Sequence, residues 1–191
     1  YADNKKEINE SKQAIIDTID RLGRWVSSLV SYLHPLEPNL INVDASRLVD
    51  AVLEVLDNKI KEKRIKLVKN GWEDSVLLNV DPDLMEQAIY SLLANAIDAS
   101  SESSILKINI INNKDTLEIR IQDSGSGLLF EPKPGNLEPG PSTKRYGTGL
   151  GIPIAFKICQ KHNWQLNFKT KSGKGTEVII KAPINLGKGF S

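Results

Sequence analysis

Cysteine is nearly absent. Cys159 is the only one in 191 residues, which excludes an internal disulfide and any CxxC metal site, and a reducing compartment is expected. Histidine is scarce too: with only His34 and His162, a His-rich metal centre has no ligands. Net charge is missing as well. Lys and Arg number 25 against 24 Asp and Glu, leaving +1, which argues against a dedicated nucleic-acid binder. No apolar run approaches the roughly 18–20 residues of a membrane span, so no membrane contact is expected and a cytoplasmic location is. The chain starts at Tyr1 with no charged-then-apolar leader, and reads as a piece of something longer. What is present, 40% apolar and 26% charged residues, belongs to a globular protein long enough for one buried domain with an appendage, or two small ones.

The first stretch carries a helical pattern. Ile8, Ile15, Leu22 and Leu29 recur every seven residues, and Ile19, Val26 and Leu33 follow the last three by four. This is an a/d seam with Lys12 as its polar exception, ended by the prolines of HPLEP at 34–38. So narrow an apolar stripe does not stabilise a lone helix, and partner helices are expected.

Beyond it the pattern becomes that of a compact mixed domain. Residues 44–63 read as a helix with Asp44 at its N-cap, 64–69 and 76–80 as short strands, and 82–100 as a strong helix after Asp81-Pro82. Strands are expected at 105–111 and 116–122, a helix at 150–162, and strands at 164–170 and 176–182. Residues 124–149 are rich in Gly, Pro and Ser, and so long an irregular stretch inside a domain is usually functional.

Four clusters sit at the edges of these elements. Asn95 lies among the apolar residues of SLLANAIDA, although a helical Asn alone is more often solvated. Asp123-Ser124-Gly125-Ser126-Gly127 follows a strand, where an aspartate can present an acceptor while glycines let backbone approach a flat ligand. Alone it reads as an Asx-type turn. Gly147-Thr148-Gly149-Leu150-Gly151 opens a helix, whose unpaired N–H groups and dipole suit a phosphate chain, but its spacing is neither GxGxxG nor a P-loop. Gly173-Lys174-Gly175-Thr176 alone is a hairpin turn.

Taken in order, an Asn on a helix, DxGxG after a strand, GTGLG before a helix and GxGT before a last strand, the four resemble the ATP-binding domain of sensor histidine kinases. That domain belongs to the ATPase group of gyrase B, the Hsp90 chaperones and MutL. The match runs from about 44 to 183 and covers the N box and three glycine boxes. The resemblance implies an α+β fold, a mixed sheet covered on one face by helices in a Bergerat-type two-layer sandwich, preceded by a long coiled-coil or bundle helix. It implies part of a dimerisation domain at 1–36, a linker at 37–43, a catalytic domain at 44–185 and a tail at 186–191.

Residue by residue, it implies that Asp123 accepts the adenine amine while Gly125 and Gly127 fold around the base. Asn95 holds Mg²⁺ between the phosphates, with Asp98 beside it on the helix. Gly147, Thr148, Gly149, Leu150 and Gly151 take the phosphates, and Thr176 lies near the adenine. Lys144, with Arg145 next to it in a lid between the glycine boxes, contacts phosphate; without the resemblance, both are solvated loop residues. ATP and Mg²⁺ are the expected cofactors, a response regulator receiver domain the expected partner, and a homodimer through the N-terminal helix the expected assembly.

Three departures stand out. The family's second Asn, one turn before the magnesium Asn, is here Ser91. The lid carries roughly eight or nine extra residues, Pro134, Pro139 and Pro141 among them, a count set against the family's usual lid. Neither histidine has the setting of the phosphate acceptor: His34 reads as a linker residue and His162 as core or turn packing. The implied activity is transfer of the γ-phosphate of ATP to a histidine outside this sequence. Competing readings are an anti-sigma-type serine kinase, which lacks the long N-terminal helix, and a degenerate nucleotide-binding or scaffold module, for which Ser91 speaks.

Overall fold

A computed structural model describes residues 36–128, 131–133 and 149–184, together with scattered positions between Ser11 and Val26. Those scattered residues are helical, and Ile15, Ile19, Leu22 and Val26 of the a/d seam are each more than half exposed.

The remainder is built around one five-stranded sheet. β1 (Ile41–Asp44) leads into α1 (Ala45–Glu62), then β2 (Lys66–Asn70), β3 (Leu77–Val80), α2 (Pro82–Ala99), β4 (Ile105–Asn113), β5 (Thr116–Gln122), α3 (Gly151–Lys161), β6 (Gln165–Thr170) and β7 (Thr176–Pro183). Strand order is β2-β4-β5-β7-β6, with β2 parallel to β4 and every other pair antiparallel. The single parallel pair follows from the crossover through α2 that separates its strands.

Alternation decides which side is covered. Leu106, Ile108 and Ile110 on β4, Leu117, Ile119 and Ile121 on β5, and Val178, Ile180 and Ala182 on β7 are buried in one cluster with the apolar faces of the helices. The opposite face carries an ion-pair ladder. Arg120 sits 2.6 Å from Glu118 and 3.9 Å from Glu177, and Lys169 sits 3.2 Å from Glu177.

Helix starts follow the sequence signals. Asp44 caps α1, accepting from the backbone N–H and hydroxyl of Ser46 at 2.8 and 2.6 Å. Asp81 caps α2 through Leu84 N–H at 3.0 Å, with Pro82 in the first turn. β1 was not expected: the sequence reading runs the linker through 43, whereas Ile41–Asp44 pairs antiparallel with β3. Four residues are too few to show a period, and this strand exists only through a partner far along the chain.

The C-terminus of α2 is held by the cation at the C-cap of α1. Lys63 Nζ donates to the carbonyls of Ile97, Asp98 and Ser100 at 2.9, 3.0 and 2.9 Å. These are carbonyls that a helix end leaves without partners, at the negative pole of its dipole. Lys63→Met is therefore expected to destabilise the chain by about 1.5–3 kcal/mol, a drop of several degrees in a thermal melt. An unchanged melt would show that water replaces the ammonium without loss.

Candidate nucleotide-binding site

Asp123 directly follows β5 and is only 5% exposed. Its Oδ1 accepts from Gly125 N–H at 2.8 Å and from Thr176 N–H at 3.3 Å, and its own N–H donates to the Thr176 carbonyl at 3.0 Å. Both side-chain bonds fall on Oδ1, so Oδ2 is the oxygen left to a ligand. Burial pushes the carboxyl above the usual carboxylate range, and the two backbone donors counter part of that shift.

The rest of the loop is laced to the hairpin between β6 and β7. Gly173 N–H donates to the Ser126 carbonyl at 2.8 Å, and Leu128 N–H to Thr170 Oγ1 at 2.7 Å. The Thr170 and Thr176 hydroxyls are 3.2 Å apart. Glycine is required where these backbones meet. A Cβ on Gly125 would lie 2.3 Å from the Ala99 carbonyl oxygen, and one on Gly175, at φ +82°, 2.1 Å from that of Asp123. The second and fourth sequence clusters are thus one unit, set against the C-terminal end of α2. A cleft of about 190 Å³ opens beside it, between Asp123, Thr176 and the side chains of Lys169, Lys171 and Lys174. It is smaller than the roughly 300–1,000 Å³ of an ordinary small-molecule pocket, and by itself it is not a nucleotide site.

α2 brings in the first cluster and the start of α3 the third. A Cβ on Gly151, at the start of α3, would stand 3.6 Å from both Asn95 Nδ2 and Ser91 Cβ, in ordinary contact. Asn95 and Ser91, one turn apart, therefore face the beginning of α3. Leu150 at the N-cap position offers no side-chain acceptor to the first turn of that helix, where an anion is favoured. Asp98 is placed differently: its carboxylate pairs with Lys59 Nζ of α1 at 2.5 Å. Gly149 is also described, at φ +68°. Lys144, Arg145, Gly147 and Thr148 lie outside the described residues.

The donor set bears on which metal fits. Among the described residues no three His, Cys, Asp or Glu side chains group as a metal site. A neutral amide and a hydroxyl beside a helix N-terminus suit a hard ion that keeps its waters and takes most of its oxygens from phosphate, as Mg²⁺ does. Cys159 is no alternative, since burial pushes its thiol up to about 12.

The family described as histidine kinase-, DNA gyrase B-, and HSP90-like ATPases matches residues 80–186. The chain belongs to that family. It is an ATP-binding domain of the sensor histidine kinase kind. The sensor histidine kinase ZraS of Escherichia coli strain K12 is 26% identical over 180 residues, 94% of this chain and 39% of ZraS. Among solved structures, the Acinetobacter baumannii histidine kinase AdeS superposes with a TM-score of 0.73 at 20% identity, covering 91% of this chain and 83% of that one. The histidine kinase ThkA, solved in complex with the response regulator protein TrrA, gives 0.72 at 21% identity, covering 90% of this chain and 49% of that one.

Sequence reading missed Thr170. Its signal was present, since it stands directly opposite Thr176 in the β6–β7 register, but a hairpin partner shows only once the strands are paired.

A buried Asp with a raised pKa holds its proton at pH values where the unfolded chain has lost it. Its ionisation therefore lowers stability as pH rises through the interval between those two values. Asp123→Asn keeps an oxygen for Gly125 and Thr176 and removes the charge. In melts without ligand, this variant should gain on the wild type as pH rises above about 4, the ordinary aspartate value. Parallel curves across that range would contradict the assigned cause.

Proposed function

We propose that this domain binds Mg²⁺–ATP and works within a longer sensor histidine kinase, passing the γ-phosphate to a histidine outside this sequence. The bond from the γ-phosphorus to its bridging oxygen breaks, ADP leaves, and phosphorus bonds to an imidazole nitrogen. A receiver-domain aspartate of a response regulator then takes the phosphoryl group. The chain spans 39% of the length of ZraS, so this activity concerns a protein larger than the domain.

The observation that carries the reading is the convergence at one end of α2: Asp123 with Oδ2 left to a ligand, Asn95 and Ser91 against Gly151, and Thr176 locked to Asp123. On this reading Oδ2 accepts the adenine amine, with Gly125, Gly127 and Thr176 shaping the base site. The N–H groups of Gly147 to Gly151 hold phosphate oxygens, Asn95 supplies an oxygen to Mg²⁺, and Lys144 and Arg145 meet the phosphates from the lid. Such chemistry rests on positioning and charge neutralisation. Asp98, tied to Lys59, supports the end of α2 and does not contact nucleotide.

His162 is no acceptor on this reading, because both ring nitrogens are engaged, with the Ile158 carbonyl at 2.8 Å and Asp81 N–H at 3.1 Å. The exposed seam of Ile15, Ile19, Leu22 and Val26 supports packing into a homodimeric helical bundle. No helix among the described residues is long and apolar enough to cross a membrane, and the cytoplasm is the proposed location. A second reading, a nucleotide-sensing module with little transfer, is favoured by Ser91 alone.

Titration with ATP tests the site. Mg²⁺ alone should give no binding signal, ATP should bind more tightly with Mg²⁺ than without, and Asn95→Ala should erase that difference. A metal dependence that survives Asn95→Ala would place the metal elsewhere. With upstream sequence restored, acid-labile phosphohistidine should form, and its absence would favour the sensing module.

A further inference from the structure

The far end of α2 is tied as firmly as the end that faces the site. Asp81 is 9% exposed, and both carboxylate oxygens are used. Oδ1 caps α2, while Oδ2 accepts from Asn39 N–H at 2.8 Å, 42 residues earlier in the chain. A cap needs only one acceptor, so the second oxygen serves the segment that leads in from the N-terminal helix. That segment is held beside Asp81 a second time, where Ile41 pairs with Val80.

The backbone of the same residue reaches the other helix of the site. His162 follows α3, and its Nδ1 lies 2.8 Å from the Ile158 carbonyl, so Nδ1 carries the hydrogen and Nε2 is the acceptor. Nε2 accepts from Asp81 N–H at 3.1 Å. Asp81 thus joins the connector, the start of α2 and the end of α3.

The two helices run antiparallel and in contact: the start of α2 meets the end of α3 at His162, and the start of α3 meets Ser91 and Asn95 at Gly151. Asn95 lies about 20 Å along α2 from Asp81 at 1.5 Å per residue. A close-packed helix pair passes a displacement at one end to the other, because its interior has no slack to absorb it.

We propose that Asp81 is a positioning residue for the nucleotide site: by holding Asn39 of the connector, it aligns α2 with α3 and so sets Asn95 against Gly151. A shift of the connector then alters the metal-dependent part of nucleotide binding without touching nucleotide. The proposal rests on the site reading above.

The test measures ATP affinity with and without Mg²⁺ for the chain and three variants. Asp81→Asn keeps an oxygen for Leu84 N–H but turns an amide donor toward Asn39 N–H. Asn39→Pro removes that donor from the connector, and the third variant combines the two. Asp81→Ser, which retains a cap through its hydroxyl, replaces Asp81→Asn should melts show that protein unfolded. Each single variant should lower the ratio of affinity with Mg²⁺ to affinity without it by about five-fold, and the double variant should lower it no further. A ratio that stays at the wild-type value, or single losses that add in the double variant, would overturn the proposal. A wild-type chain that binds no ATP would overturn the site reading and this proposal with it. A wild-type chain with a metal-dependent ratio, unmoved in the variants, would overturn this proposal alone.

Discussion

Burying a carboxylate at the end of a central strand is costly unless its oxygens find donors, and the shape of this site follows from how Asp123 finds them. Oδ1 takes two backbone N–H groups, from Gly125 and Thr176. For both to reach one oxygen, the loop after β5 must fold back on itself while the β6–β7 hairpin closes over it. The glycines follow from that constraint: at Gly125 and Gly175 the neighbouring carbonyl oxygens lie where a Cβ would be. The remaining oxygen, Oδ2, is left as an acceptor on a residue only 5% exposed.

The metal and phosphate side depends on α2. That helix is held at its C-terminus by Lys63 on three carbonyls and by Lys59 on Asp98, and at its N-terminus by Asp81. Asn95 lies between these anchors and faces the first residue of α3. On the proposed reading, the residues that would place a metal between phosphates sit on two packed helices, which vary less in position than a loop does. Balanced overall charge is compatible with the proposed function, in which backbone N–H groups and a metal would carry most of the phosphate recognition.

Much of this was legible beforehand. The caps at Asp44 and Asp81 are local signals with a direct physical cause, and the alternation along 105–111 and 116–122 marks the covered face of the sheet. The glycine clusters were visible as turns, and their joint meaning came from their order along the chain. The rest depends on distant partners. β1 exists only against β3, Thr170 acts only across from Thr176, and the contact of His162 with Asp81 spans 81 positions. Asp98 shows the converse: the sequence sets it three residues after Asn95 on the same helix, yet its carboxylate pairs with Lys59 of α1.

The central claim is that Asp123 reads the exocyclic amine of adenine. Inosine triphosphate carries the same phosphates and sugar but presents a carbonyl oxygen where adenine presents that amine. Competition of the two nucleotides for the wild-type chain, with Mg²⁺ present, tests the claim directly. The account predicts that ATP binds about ten-fold or more tightly, because the carbonyl would face the buried carboxylate acceptor to acceptor. Equal affinity would contradict it, and would move the base away from Asp123.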